Sequence, residues 1–149
     1  MSVAVVALIV ALVSAILLVL VGSIVVFLVV VKRKAAETRA RLSEELASVE
    51  TVRGPENAVY RGGTADYPKV KGNGLIALTS DRLLFRKMLG GDVDIALADV
   101  TGVRITKAFN GSVTGGQVHL VVQTTEGEVG YFVTGTEEWR DAVWAAAVR

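Results

Sequence analysis

Gly74-Leu75-Ile76-Ala77-Leu78-Thr79-Ser80-Asp81-Arg82-Leu83-Leu84-Phe85 consists of two short apolar runs folded about a Ser-Asp turn. Each run is too short for a helix and is bounded by turn residues, so Leu75–Thr79 and Arg82–Leu89 are expected to be the arms of a β-hairpin. Side chains alternate across a strand, so Arg82 and Arg86 share one face while Phe85 points inward.

Working outward, the same period recurs on both sides. Ala58 to Arg61 is expected to be a first strand, followed by Gly62-Gly63 and a loop holding Pro68, Lys69, Lys71, Gly72 and Asn73. After Gly90-Gly91, a pair suited to a tight loop, Val93, Ile95 and Leu97 alternate with Asp92, Asp94 and Ala96. Val100–Lys107, Gln117–Thr124 and Glu128–Thr134 complete the set, separated by Asn110-Gly111, Gly115-Gly116 and Thr125-Glu126-Gly127. The chain then changes period. Thr136 is placed to cap a helix, Glu137 and Glu138 suit its first turn, and Trp139, Val143 and Ala146 form one apolar stripe.

About seven antiparallel strands and one terminal helix is the order of elements in a pleckstrin-homology-like barrel. The hairpin resembles the signature of GRAM-type domains of that superfamily, roughly Gly-x-Leu-x-Leu-Thr-x-x-Arg-Leu-x-Phe. Asp99-Val100-Thr101-Gly102-Val103 is similar to the stretch that follows their fourth strand. The resemblance covers residues 56–148. It implies a mainly-β PH-like barrel capped by a C-terminal α-helix, acting as a noncatalytic adaptor or membrane-associated binding module.

Upstream the chemistry is different. Residues 32–53 carry six Lys/Arg and four Glu, with Glu37–Arg41 and Arg41–Glu45 four apart as on a helix. Leu42, Leu46 and Val49 form a short apolar stripe, suited to a coiled-coil turn or to packing on the chain's own domain. Gly54-Pro55 is expected to end this helical stalk. Before it, Val3 to Val31 holds 29 residues without a Lys, Arg, Asp, Glu, His, Asn or Gln. As a helix the run would extend about 43 Å, against about 30 Å of bilayer hydrocarbon. No basic residue precedes it and it exceeds a signal-peptide core, so an uncleaved signal anchor is expected. Lys32, Arg33 and Lys34 follow directly and set the topology: N-terminus outside, C-terminal bulk cytoplasmic, single-pass in the plasma (inner) membrane. The expected division is thus a transmembrane helix at 1–31, a charged stalk at 32–53 and a PH/GRAM-like domain at 54–149. Ala7, Ala11 and Ala15, four apart, offer a face for a homodimer.

Composition excludes several functions. The 149 residues contain no cysteine, which removes disulfides, thiolate metal sites and cysteine nucleophiles. Net charge is +1 overall but −1 over residues 54–149, which argues against nucleic acid. His119, the single histidine, stands without a recognisable Ser or Cys partner, and no cofactor motif is present. Asp92 and Asp94 read as solvent-facing strand residues, and with Asp99 they do not make a metal loop. Asn110-Gly111-Ser112 matches a glycosylation sequon, but on a cytoplasmic domain it is a turn. An enzyme is therefore not expected.

The one charge cluster is Lys69, Lys71, Arg82, Arg86 and Lys87, a candidate surface for anionic lipid headgroups or a protein partner. The alternative function is a structural subunit of a membrane complex assembled through the anchor and stalk.

Overall fold

The computed structural model describes residues 2–113 and 115–149. The chain forms two compact units, Met1–Lys34 and Ala35–Arg149. Helix α1, Val3–Leu46, begins in the first and ends in the second. Its apolar part is exposed throughout and is long and apolar enough to cross a membrane. Ala7, Ala11 and Ala15 are exposed along it.

The second unit is built on nine strands: β1 Thr51–Gly63, β2 Gly72–Thr79, β3 Arg82–Lys87, β4 Val93–Ala96, β5 Val100–Thr106, β6 Ala108–Phe109, β7 Ser112–Val113, β8 His119–Thr124 and β9 Gly127–Val133. Seven form one antiparallel sheet in the order β4-β3-β2-β1-β9-β8-β5, and β6-β7 is a separate small hairpin. Helix α2, Thr136–Ala147, closes the chain. The expected closed barrel is not found. β4 and β5 are the two edges of the sheet, and a single 3-10 turn, Leu97–Asp99, connects them.

The hairpin at Gly74–Phe85 forms as its pattern requires, with Ile76 opposite Phe85 and Leu78 opposite Leu83. Those four side chains enter the main core with Tyr60, Leu120, Val122 and Tyr131. Tyr60, Phe85 and Tyr131 form an aromatic triangle with centroids 5.4 to 5.7 Å apart. Trp139, Val143 and Ala146 bring α2 onto the same core. Thr79 locks the turn: its hydroxyl accepts from the backbone amide of Arg82 at 3.1 Å and donates to Asp81 at 2.8 Å.

Three local expectations are corrected. Helix α1 ends at Leu46, and Gly54-Pro55 lies within β1. The β1–β2 register shifts between Arg53 and Glu56, so a bulge accommodates the proline that would otherwise leave a ladder acceptor unpaired. Gly54 has φ +86, and a Cβ there would stand 2.6 Å from the Ile76 carbonyl oxygen, so the site requires glycine. Strand β8 starts at His119, which leaves Gln117 and Val118 outside it. The residue at the N-cap of α2 is Gly135, in the left-handed region, and the Thr136 hydroxyl instead donates to the Val133 carbonyl at 3.2 Å.

The sheet is buried on both faces around β2 and β3. Away from the main core, Leu75, Ala77 and Leu84 are covered by Leu42 and Leu46 of α1. Thr38 is buried as well, while Val49 is exposed. Residues expected as a stalk therefore pack on their own domain. This is why β2 lacks the apolar–polar alternation of a half-exposed strand.

Candidate functional site

The five basic residues proposed as one surface are not brought together. β3 presents Arg86 towards α1, where it is 4% exposed. Its Nε donates to Glu45 Oε2 at 2.9 Å, its Nη1 contacts Asp94 Oδ1, and Asp92 Oδ2 is 3.9 Å from Nε. Burial works against the guanidinium charge, but the Glu45 and Asp94 carboxylates outweigh it and hold Arg86 above its ordinary range. In return the hydrogen bond from Arg86 lowers the Glu45 pKa, against the effect of burial. Arg41 adds a contact to Asp92 at 3.1 Å. Asp92 and Asp94 are thus partners of this buried arginine and not simply solvent-facing.

Lys87 points to the other side and is also 4% exposed. Its Nζ donates to the Val70 carbonyl at 2.6 Å and sits 4.5 Å above the Tyr60 ring. Burial lowers its pKa, opposed by Asp92. Arg82 is exposed at the opposite end of β3 and is paired with Asp81 at 3.0 Å. Only Lys69 and Lys71 share an exposed loop, between β1 and β2, where Lys71 Nζ contacts Ser112 Oγ of the β6-β7 hairpin. Lys32, Arg33 and Lys34 are exposed at the end of the first unit.

Around that loop the structure gathers what sequence reasoning missed. Val70, Leu89 and Val113 are 76%, 71% and 75% exposed. Val70 lies in the β1–β2 loop, Leu89 in the β3–β4 loop, and Val113 ends β7. Lys87 binds the Val70 carbonyl, a Cβ on Gly72 would stand 3.9 Å from the Leu89 carbonyl oxygen, and Lys71 reaches Ser112 beside Val113. Exposed apolar residues in loops and at strand ends carry no periodic signal in sequence.

His119 is fully buried and stacks on Phe132 at 4.4 Å, with Phe109 at 6.3 Å. Nδ1 lies 3.2 Å from the Thr106 carbonyl oxygen, Nε2 has no partner, and burial lowers the pKa. Its surroundings are aromatic packing. Asn110 and Gly111, at φ 49 and 74, make the tip of the β6-β7 hairpin. Among the described residues no group of three or more His, Asp and Glu is placed to hold a metal ion. A shallow cleft of about 250 Å³ runs between the β5 edge and α2, lined by Gly102, Val103, Gln123, Arg140, Asp141 and Trp144.

No protein-family model and no curated protein matches this chain. Among solved structures it is similar to the C-terminal domain of an unknown protein from Leishmania infantum. The two share 12% identity over 72% of this chain and 92% of that one, at a TM-score of 0.47. Likeness at that level transfers neither fold nor function.

Proposed function

We propose that this protein is a single-pass membrane protein that displays a noncatalytic PH/GRAM-like module to the cytoplasm, as a scaffold for a partner at the membrane. The observation that carries the reading is that the chain leaving the apolar segment is built into the domain. Leu42 and Leu46 are buried on β2 and β3, and Glu45 is bound to Arg86. A domain whose packing uses the residues next to an anchor is held at the membrane and gains in effective concentration for anything located there. The strand order, the Thr79–Arg82 turn lock and the packing of α2 on the core support the PH-like assignment. The basic run Lys32-Arg33-Lys34 after the apolar stretch supports the cytoplasmic placement.

The test is membrane extraction and protease accessibility of the full chain in intact cells. Resistance to alkaline carbonate, with the domain digested only after permeabilisation, is the expected result. Release by carbonate removes the anchor from the reading, and digestion of the domain from outside reverses the orientation.

A further inference from the structure

We infer that the end of the domain bearing Val70, Leu89 and Val113 rests on an anionic bilayer surface, with Lys69 and Lys71 facing the headgroups. This rests on the reading of the apolar helix as an anchor.

Three observations converge on it. The first is apolar exposure in the wrong place. Turns normally project polar residues, yet Val70 and Leu89 in two loops are exposed apolar side chains, as is Val113 at the end of β7, and Lys71 reaches from the first loop to Ser112 beside Val113. Scattered apolar residues need no explanation, but a group of them with lysines between matches the amphipathic chemistry of a membrane interface.

The second is charge. Lys69 and Lys71 flank Val70 and are exposed. Asp92 is held by Arg41, and the part of the loop containing Asp66 is tied away by Thr64 to Glu128 and by Tyr67 to Thr124. Lys87 is turned inward onto Tyr60 and the Val70 carbonyl, so it does not join Lys69 and Lys71 on the exposed surface. Exposed apolar tips with lysines beside them suit an extended anionic surface.

The third is where the chain enters the domain. Arg41 lies against Asp92, in the β3–β4 loop that also holds Leu89. Four residues later Glu45 lies against Arg86, and further on Glu50 accepts from the Ser80 amide, at the β2–β3 turn. The segment thus runs from the end with the exposed tips towards the opposite end. The polypeptide arrives at the end that carries Val70 and Leu89. Arg41 is the tenth residue after Val31, about 15 Å on as helix and about 35 Å fully extended, so the tether keeps these tips within reach of the interface.

The chain has no cysteine, so a single labelling site can be introduced at will. Val70→Cys, Leu89→Cys and Val113→Cys, with Asp141→Cys on α2 as control, are each labelled with an environment-sensitive fluorophore. The full-length protein is reconstituted into vesicles of phosphatidylcholine with or without phosphatidylserine, and insertion is verified first by carbonate extraction. Failure to insert refutes the anchor itself and is read separately. On inserted protein, the three tip labels should brighten and shift to the blue in phosphatidylserine vesicles and be quenched by doxyl-labelled lipid, while the control label stays unchanged. Lys69→Gln/Lys71→Gln should lower the ratio of docked to undocked domain about 30-fold, and high salt should act in the same direction. Tip labels that behave like the control overturn the inference. So do labels that respond equally without phosphatidylserine. Brightening without lipid quenching also overturns it, since the tips would then be covered by a second copy of the chain.

Discussion

Glu45 of α1 and Arg86 of β3, 41 residues apart in sequence, are joined by a hydrogen bond of 2.9 Å from Arg86 Nε to Glu45 Oε2. This pair, with Leu42 and Leu46 beside it, makes the residues next to the apolar helix an integral part of the β domain. Arg86 is nearly buried and has its carboxylates close around it, an arrangement in which removing one partner costs more than the pair itself contributes.

The pair gives stability a sign with pH. Arg86 depresses the Glu45 pKa from its ordinary value of 4.5, so its stabilisation is complete above that value. It is lost as pH falls through the lower, folded-state pKa. Glu128, lowered by Gln123 and Arg104, acts in the same window. Urea unfolding of the full chain in detergent should therefore show a midpoint that drops below about pH 4.5. Glu45→Gln should lower the neutral-pH midpoint and flatten the acid slope. An acid slope unchanged in this variant removes Glu45 from the account.

Leu42→Ala tests whether the docked segment contributes to folding. Leu42 is fully buried against Leu75, Ala77 and Leu84, so the change should cost about 2–5 kcal/mol. Phe85→Ala, on the other face of β3, should cost about 3–5 kcal/mol. Both are large against a total stability of about 5–15 kcal/mol, and denaturant midpoints measure them. A Leu42→Ala midpoint equal to wild type would mean the segment does not contribute to the folded domain.

The strands were legible where the period was clean. Leu75–Thr79, Phe85 pointing inward and the Trp139–Val143–Ala146 stripe follow from alternation and helical spacing, because burial is what those periods encode. Strand β1 was read too short because Gly54-Pro55 looks like a break, and a bulge is invisible without its partner strand. The basic cluster dissolved for a related reason. Proximity in sequence gathers Arg82, Arg86 and Lys87, but Glu45, Asp94 and the Val70 carbonyl, which engage two of them, come from other parts of the chain. Arg41, spaced to pair along its own helix, also binds Asp92, 51 residues away. Local spacing cannot rank a partner four residues away against one delivered by the fold.

Gly130→Ala addresses the small β6-β7 hairpin. A Cβ at Gly130 would meet the ring of Phe109, whose Cε1 is 2.6 Å away. Phe109 is buried, so the ring cannot simply swing into water without loss. The substitution should destabilise by about 1–3 kcal/mol through overpacking. Combined with Phe109→Ala it should cost less than the two single changes added, because the clash then has no partner. Strict additivity in the double variant would place the cost elsewhere.

His119 supplies a second pH dependence, in a window that opens at higher pH than that of Glu45. The imidazole is buried beside Phe109 and Phe132, with Arg61 over the Phe132 ring and the charges of Arg61 and Lys71 also disfavouring protonation. Burial is the largest cause of its lowered pKa, against the hydrogen bond to the Thr106 carbonyl. In the unfolded chain the ring takes up a proton below its ordinary value of 6.5, whereas in the folded chain it resists until a lower pH. Stability is therefore fully present above 6.5 and declines as pH falls from there to the folded-state pKa, where the loss levels off. His119→Phe preserves the aromatic stack and removes the titration. The difference in urea midpoint between about pH 8 and pH 5.5 should be present in wild type and absent in this variant, whatever the variant's stability at pH 8. Glu45→Gln should leave that difference intact, because Glu45 releases its proton at lower pH. A wild-type midpoint that does not move between these two pH values would show that His119 titrates alike in the folded and unfolded chain.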